Sequence, residues 1–282
     1  MKIVECPRDA MQGLHDFIPT TVKADYINQL LKVGFDTIDF GSFVSPKAIP
    51  QLRDTAEVLD LLDLSSSSSK LLAIIANKRG AEQAVTFKEI TYLGFPLSIS
   101  ETFQQRNTKK SIADALNELS EIQNLCIAHG KTLVTYISMG FGNPYNEPYN
   151  SDIVAKFLSK LNQLKCEIIS LSDTIGVADS QLIIDIFKNS ITAYPTTEIG
   201  AHFHSTPHTA EEKIKAAYDA GCTRFDTAMK GFGGCPMATD ELTGNIDTSV
   251  LVNYFQSINV DLKLNEAEFG KSFTMAGDVF PV

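Results

Sequence analysis

The sequence predicts an α/β fold, a closed (β/α)8 TIM barrel whose working end is the face where the strands stop. Three observations carry that prediction. Short apolar runs alternate with longer amphipathic segments eight times over. No linker or composition shift divides the 282 residues. Unusual polar groups also fall where the apolar runs end, the carboxyl-terminal face on which barrel enzymes place their sites. An open doubly wound sheet is the alternative, because periodicity does not separate a closed sheet from an open one. The chain therefore reads as a single domain, 1–282.

Strands are expected at 2–8, 37–43, 71–77, 89–95, 132–141, 167–173, 198–204 and 224–230. Helical spacing falls between them. In 21–34, Ile27, Leu30, Leu31 and Phe35 recur along one side. Segment 113–130 does the same and stops at Gly130, and 210–222 stops at Gly221, both plausible helix ends. The serine run at 65–69 is too short for a linker and reads as a helix-to-strand loop.

Composition narrows the function. Hydrophobic residues make up 44% and charged residues 21%, with mean hydropathy near zero, the balance of a soluble globular protein. A net charge of −10 repels nucleic acid and anionic membranes. No apolar run reaches membrane-spanning length. The start, MKIVECPRDA, enters a strand without a basic leader, so a cytoplasmic location is expected. Five scattered cysteines with no CxxC pair suit free thiols rather than disulfides or structural zinc.

The polar groups at the strand ends carry the chemistry. "CPRDAMQG" closes the first strand. There, Asp9 offers a hard oxygen ligand to a divalent ion and Arg8 a fork of donors to an oxyanion, although a surface ion pair explains the two equally well. "HFH" places His202 and His204 on one face of a strand, since residues i and i+2 share a side. Neutral imidazoles so placed suit a transition metal, the plain alternative being two hydrogen-bonded structural histidines. His208, farther on, reads as structural. "MKGFGGCPMATDELTGN" puts Cys235 at a glycine-rich loop tip, where a reactive thiol or general acid fits better than packing. Asn245 in the same stretch offers an amide oxygen, or is an ordinary Gly-Asn turn.

Asp39 and Asp173 lie within strands, and an inward carboxylate in an apolar barrel must be paired or do chemistry. Ser42 and Lys47 follow strand two, Lys47 reading either as surface or as a ligand-phosphate contact. Tyr136 and Ser138 share a face, for packing or for a substrate hydroxyl.

Together these motifs resemble the 3-hydroxy-3-methylglutaryl-CoA (HMG-CoA) lyases, within a wider superfamily of divalent-metal lyases and Claisen-type synthases. PRDAMQ, SFVSPKAIPQ, SLSDTIGV, HFH, GGCP and TGN span nearly the whole chain. PRD with HxH is common to the superfamily, whereas SFVSPK and GGCP are particular to the lyases. The resemblance implies Mg²⁺ or Mn²⁺ held by Asp9, His202, His204 and Asn245. It implies Arg8 on an enolate oxygen and Cys235 in proton transfer, with Asp39 and Asp173 as further catalytic carboxylates. Gln12, Ser42, Lys47, Tyr136 and Ser138 would touch an acyl-CoA substrate, and the protein would be a homodimer. The implied reaction is retro-Claisen cleavage of HMG-CoA to acetyl-CoA and acetoacetate. Alternatives are a synthase condensing acetyl-CoA with a 2-oxo acid, or a barrel that only binds metal or acyl-CoA. Three positions depart from the lyase pattern: Asp39 stands for a glutamate, His15 for a lysine and Ser205 for an aspartate.

Overall fold

The structure is a computed structural model describing residues 1–234 and 243–280. Eight parallel strands run β1 (Lys2–Glu5), β2 (Thr37–Ser42), β3 (Lys70–Ile74), β4 (Ile90–Ser98), β5 (Thr132–Ser138), β6 (Ile168–Asp173), β7 (Glu198–Ser205) and β8 (Arg224–Thr227). Each pairs with its sequence neighbours, and β1 pairs with β8, so the sheet closes. A two-residue ninth strand, β9 (Gly244–Asn245), runs antiparallel to the end of β7. The closed barrel, rather than the open sheet, is thus the observed topology.

The helices are α1 (Pro7–Gln12), α2 (Thr20–Leu30), α3 (Thr55–Asp60), α4 (Lys78–Ala84), α5 (Glu101–Thr108) and α6 (Ile112–Ala128). They continue as α7 (Ser151–Gln163), α8 (Ser180–Ala193), α9 (Ala210–Asp219), α10 (Thr248–Ser257) and α11 (Glu266–Val279). Side-chain caps open several of them: Asn77 accepts from Gly80 N, Ser100 from Phe103 N and Asp179 from Leu182 N. Each satisfies an amide that has no partner in the first turn. None of the described helices is long and apolar enough to cross a membrane.

Alternation along the strands builds two apolar regions. Outward residues such as Ile38, Phe40, Leu93 and Phe95 join the helices in the main core. A smaller cluster, Leu72, Tyr92, Val134, Tyr136 and Ile168, is separate from it. Near Tyr92, the fully buried Arg224 lies between Asp36 (3.7 Å) and Glu198 (3.8 Å), its guanidinium 5.6 Å from the Tyr92 ring.

Two expectations change. The first strand ends at Glu5 rather than Arg8, and Pro7 and Arg8 open α1, with Pro7 preset for the first helical position and its missing N–H costing nothing there. The eighth strand stops at Thr227, before a 3₁₀ turn, Met229–Gly231.

Asp173 is fully buried, and both oxygens are occupied: Lys213 Nζ donates to it at 2.6 Å, and the amides of Val177 and Ala178 at 3.0 Å each. Lys213 also donates to His204 O at 3.0 Å. Asp173 therefore ties the β6 loop to α9 and β7.

Two stability measurements follow from these contacts. A Cβ built on Gly80 would sit 2.6 Å from the Phe43 carbonyl oxygen, where α4 meets the end of β2. Helix propensity alone favours alanine by about 1 kcal/mol. The backbone clash reverses the sign, and Gly80→Ala is expected to lower unfolding free energy in urea by about 1–3 kcal/mol. Lys213→Met leaves the Asp173 carboxylate buried without its cation, and the same measurement should show a loss of about 3–5 kcal/mol.

Candidate active site

The site forms where β1, β8 and β7 stand side by side. Val4 registers with Asp226, and Asp226 with His202, so closure of the barrel brings the two ends of the chain together. The α1 helix begins two residues after β1 and carries Arg8 and Asp9 in its first turn, both buried. On β7, His202 and His204 lie on one face, their ring centroids 5.4 Å apart. Asp9, His202 and His204 present ligand atoms that all lie within 4.8 Å of one another. The strand reading of HxH is what this geometry required.

Each histidine is oriented from behind. His204 Nδ1 lies 2.8 Å from Thr174 O, an acceptor, so that nitrogen carries the hydrogen and Nε2 keeps its lone pair. His204 Nε2 is buried and has no hydrogen-bond partner among the described residues. His202 Nδ1 lies 3.2 Å from Asp226 Oδ2. Tyr136 packs edge-on against His202, centroids 5.5 Å apart. This carboxylate- or carbonyl-backed imidazole arrangement is typical of metal-ligating histidines.

Asp9 is held on every side. Arg8 Nη1 donates to Oδ1 at 3.0 Å, Gln12 Nε2 donates to the same oxygen, and Asn245 Nδ2 donates to Oδ2 at 2.8 Å. Asn245 also donates to Phe232 O at 2.9 Å. A Cβ at Gly233, where φ is +87°, would meet Asp9 O at 2.7 Å and Asn245 Nδ2 at 2.8 Å. Only glycine lets this loop lie so close. Arg8 in turn grips Asp39 with two prongs, Nη2 to Oδ2 at 2.6 Å and Nε to Oδ2 at 3.0 Å.

These contacts set the charges. Burial works against ionisation of Asp9, but the Arg8 guanidinium and both imidazoles outweigh it and lower Asp9 to about 2. Burial raises Asp39 to about 6 despite Arg8. Burial, with the neighbouring His202, lowers His204 to about 4, so it is neutral near pH 7. For His202 burial acts in the same direction, but the hydrogen bond and charge of Asp226, with Asp9, leave it raised.

Above the cluster opens a cavity of about 250 Å³, lined by Arg8, Asp9, Gln12, Ser42, Tyr136, Ser138, His202 and His204 among others. It thus gathers most of the residues expected to meet substrate. Asp39 does not line it and reaches it through Arg8. Lys47 is exposed in the loop after β2 and lines no part of it, whereas Val44, Ala48 and Ile49 of the same loop do. Cys235 lies outside the described residues; Gly234, next to it, lines the cavity. Asp226, Thr174 and Ser172 were not singled out from the sequence. The carboxylate argument applied to Asp39 also fits Asp226 in "RFDT", whereas nothing in the sequence marks a backbone carbonyl such as that of Thr174.

The comparisons agree with this geometry. The HMGL-like family profile matches residues 2–272. A hydroxymethylglutaryl-CoA lyase of Bacillus subtilis is 32% identical over 92% of this chain and 85% of its own. The mitochondrial enzyme of Bos taurus is 32% identical over 94% of this chain and 81% of its own. The solved Bacillus subtilis HMG-CoA lyase superposes with a TM-score of 0.93 at 29% identity, covering 99% of this chain and 93% of that one. An Acinetobacter baumannii HMG-CoA lyase in complex with coenzyme A and 3-methylmalate gives 0.91 at 30%, covering 99% and 91%. With its family match extending over nearly the whole barrel, this chain belongs to the HMGL-like family.

Proposed function

We propose that the protein is a divalent-metal-dependent carbon–carbon lyase that cleaves HMG-CoA to acetyl-CoA and acetoacetate. The observation that carries this reading is the convergence of Asp9, His202 and His204 beside a pinned Arg8, in a chain similar along most of its length to lyases of that name. The donor set fits a divalent cation: one hard carboxylate, one neutral imidazole with an orphaned Nε2, and a second imidazole braced by Asp226. Asp9, His202 and His204 would hold it, and Asn245, whose amide already touches Asp9, is the fourth proposed ligand. Mg²⁺ and Mn²⁺ are the ions proposed. When bound, the cation supplies a Lewis acid that lowers the pKa of the substrate's tertiary hydroxyl.

The chain's own residues do the rest. Transfer of the hydroxyl proton to a carboxylate of the site, acting as general base, lets the C2–C3 bond break, its electron pair passing into the thioester as an enolate. Arg8 faces that charge. Four of its five N–H groups are directed at Asp39, Asp9 and Gln12, leaving one on Nη2 for the enolate oxygen. Asp39 acts as the brace for that guanidinium, so its proposed part is positioning. A proton returned to the enolate carbon completes acetyl-CoA, and Cys235 is the proposed donor. Ser42, Tyr136 and Ser138 would line the acyl group, and exposed Lys47 would meet a CoA phosphate at the rim. A homodimer working in the cytoplasm completes the proposal.

The direct test is incubation with HMG-CoA and Mn²⁺ or Mg²⁺, followed by measurement of acetoacetate. Product is expected with either ion and none after chelation; a metal-loaded protein that forms no acetoacetate rejects the reading. Cys235→Ser is expected to lower kcat about 100-fold or more while metal content, read by atomic absorption, stays unchanged. Parallel loss of metal would remove Cys235 from proton transfer.

A further inference from the structure

One polar group in the cavity has no partner among the described residues and no part in the steps above. Ser172 on β6 is 3% exposed, and its Oγ meets no hydrogen-bonding atom of the described residues. Its Cα registers with His202, so the hydroxyl and the imidazole leave neighbouring strands on the same face and line the same cavity. Ser170, two residues earlier, also has an unpaired Oγ but lines no part of that cavity. A buried hydroxyl without a partner is unfavourable unless a ligand or water supplies one. Ser172 is the one of the two that a ligand can reach.

Charge indicates which ligand group it meets. Among the described residues lining the cavity, Arg8 is the one lysine or arginine, and nearly all of its donors are already directed at Asp39, Asp9 and Gln12. The donors that the β5–β6 side itself offers to a negative group are neutral. Hydroxyls stand there: Ser172, Ser138 on β5, and Thr174, whose Oγ1 accepts from Met139 N and so keeps its own hydrogen free. The loop after β2 lines the cavity with Val44 and Ile49, across the barrel from β6, and leaves that side for the long thioester arm.

We infer that Ser172 is a substrate-binding residue whose hydroxyl donates to a carboxylate at the free end of the acyl group, selecting 3-hydroxyacyl thioesters that end in a carboxylate over those that end in a methyl. The inference rests on the lyase reading for its choice of thioesters.

The test is calorimetric binding of 3-hydroxyglutaryl-CoA and of 3-hydroxybutyryl-CoA to the Mg²⁺-loaded protein. Ser172→Ala should weaken the first about tenfold, as expected for a hydrogen bond to a charged group, and leave the second within twofold. Ser170→Ala should change neither. Equal weakening of both thioesters by Ser172→Ala, or no change in either, overturns the inference. Absence of acetoacetate from the wild-type protein would instead count against the lyase reading, with the binding comparison still deciding the role of Ser172.

Discussion

The site depends on a surplus of buried negative charge. Asp9, Asp39 and Asp226 are all nearly inaccessible to water, and among the described residues the one guanidinium hydrogen-bonded to any of them is that of Arg8, with buried Arg224 acting on Asp226 through its charge. Buried carboxylates are tolerated only when paired, hydrogen-bonded or bound to metal. Arg8 answers for two of the three by bridging Asp9 to Asp39, and Asp226 leans on His202. Neutral His204 and its unpaired Nε2 add a donor with nothing to donate to. A divalent cation seated between Asp9 and the imidazoles relieves both problems, which is why this cluster reads as a metal centre and not as an ion-pair network. The Asp173–Lys213 pair is the contrast: one carboxylate, one ammonium and two backbone amides leave nothing for a ligand.

The barrel was legible because eight apolar runs alternate with helical or helix-sized segments, and all eight strands lie within or largely over the expected segments. What periodicity does not see is where a strand ends. "IVECPRDAMQ" carries no break in its pattern that marks a strand end, yet the backbone turns helical at Pro7. Proline at a first helical position and proline at a strand edge are both permitted, and the choice is made by the tertiary setting. Strand β9 is hidden for a related reason. Two residues carry no period, and Gly244–Asn245 has the composition of a turn.

Site residues divide along the same line. The HxH pair was readable because a strand's period of two decides which side chains share a face. The same parity, applied to "SLSD", separates Ser170 and Ser172 from Asp173: with Ser172 registered to His202 on the barrel's inner side, Asp173 must face the other way. A carboxylate attracts attention in a sequence and a serine does not, so residue type points to Asp173, although Ser172 is the one that lines the cavity. Asp226 follows the rule as well, since its register with His202 places it inward. What no sequence pattern supplies is the direction of Arg8, which depends on α1 leaving β1 at one angle and on Asp39 waiting across the gap.

The three departures from the lyase pattern bear unequally on this arrangement. His15 is fully exposed beside Asp16, away from the cavity wall. Ser205 is buried against β9, where it registers with Gly244, and lies outside the lining of the cavity. Asp39 is the one that reaches the chemistry, and it does so indirectly. A side chain one methylene shorter than glutamate still makes the two-pronged contact with Arg8 at 2.6–3.0 Å, so the loss of reach has been absorbed within the pair. The guanidinium cannot be both drawn back toward Asp39 and freed from Asp9, because Nη1 is anchored at 3.0 Å to Oδ1. Any displacement that the shorter carboxylate imposes is therefore shared between Arg8 and the proposed metal ligand beside it. The positions proposed for the enolate donor and for the cation are set together, by one salt-bridged unit running from β2 into α1, beside the imidazoles of β7.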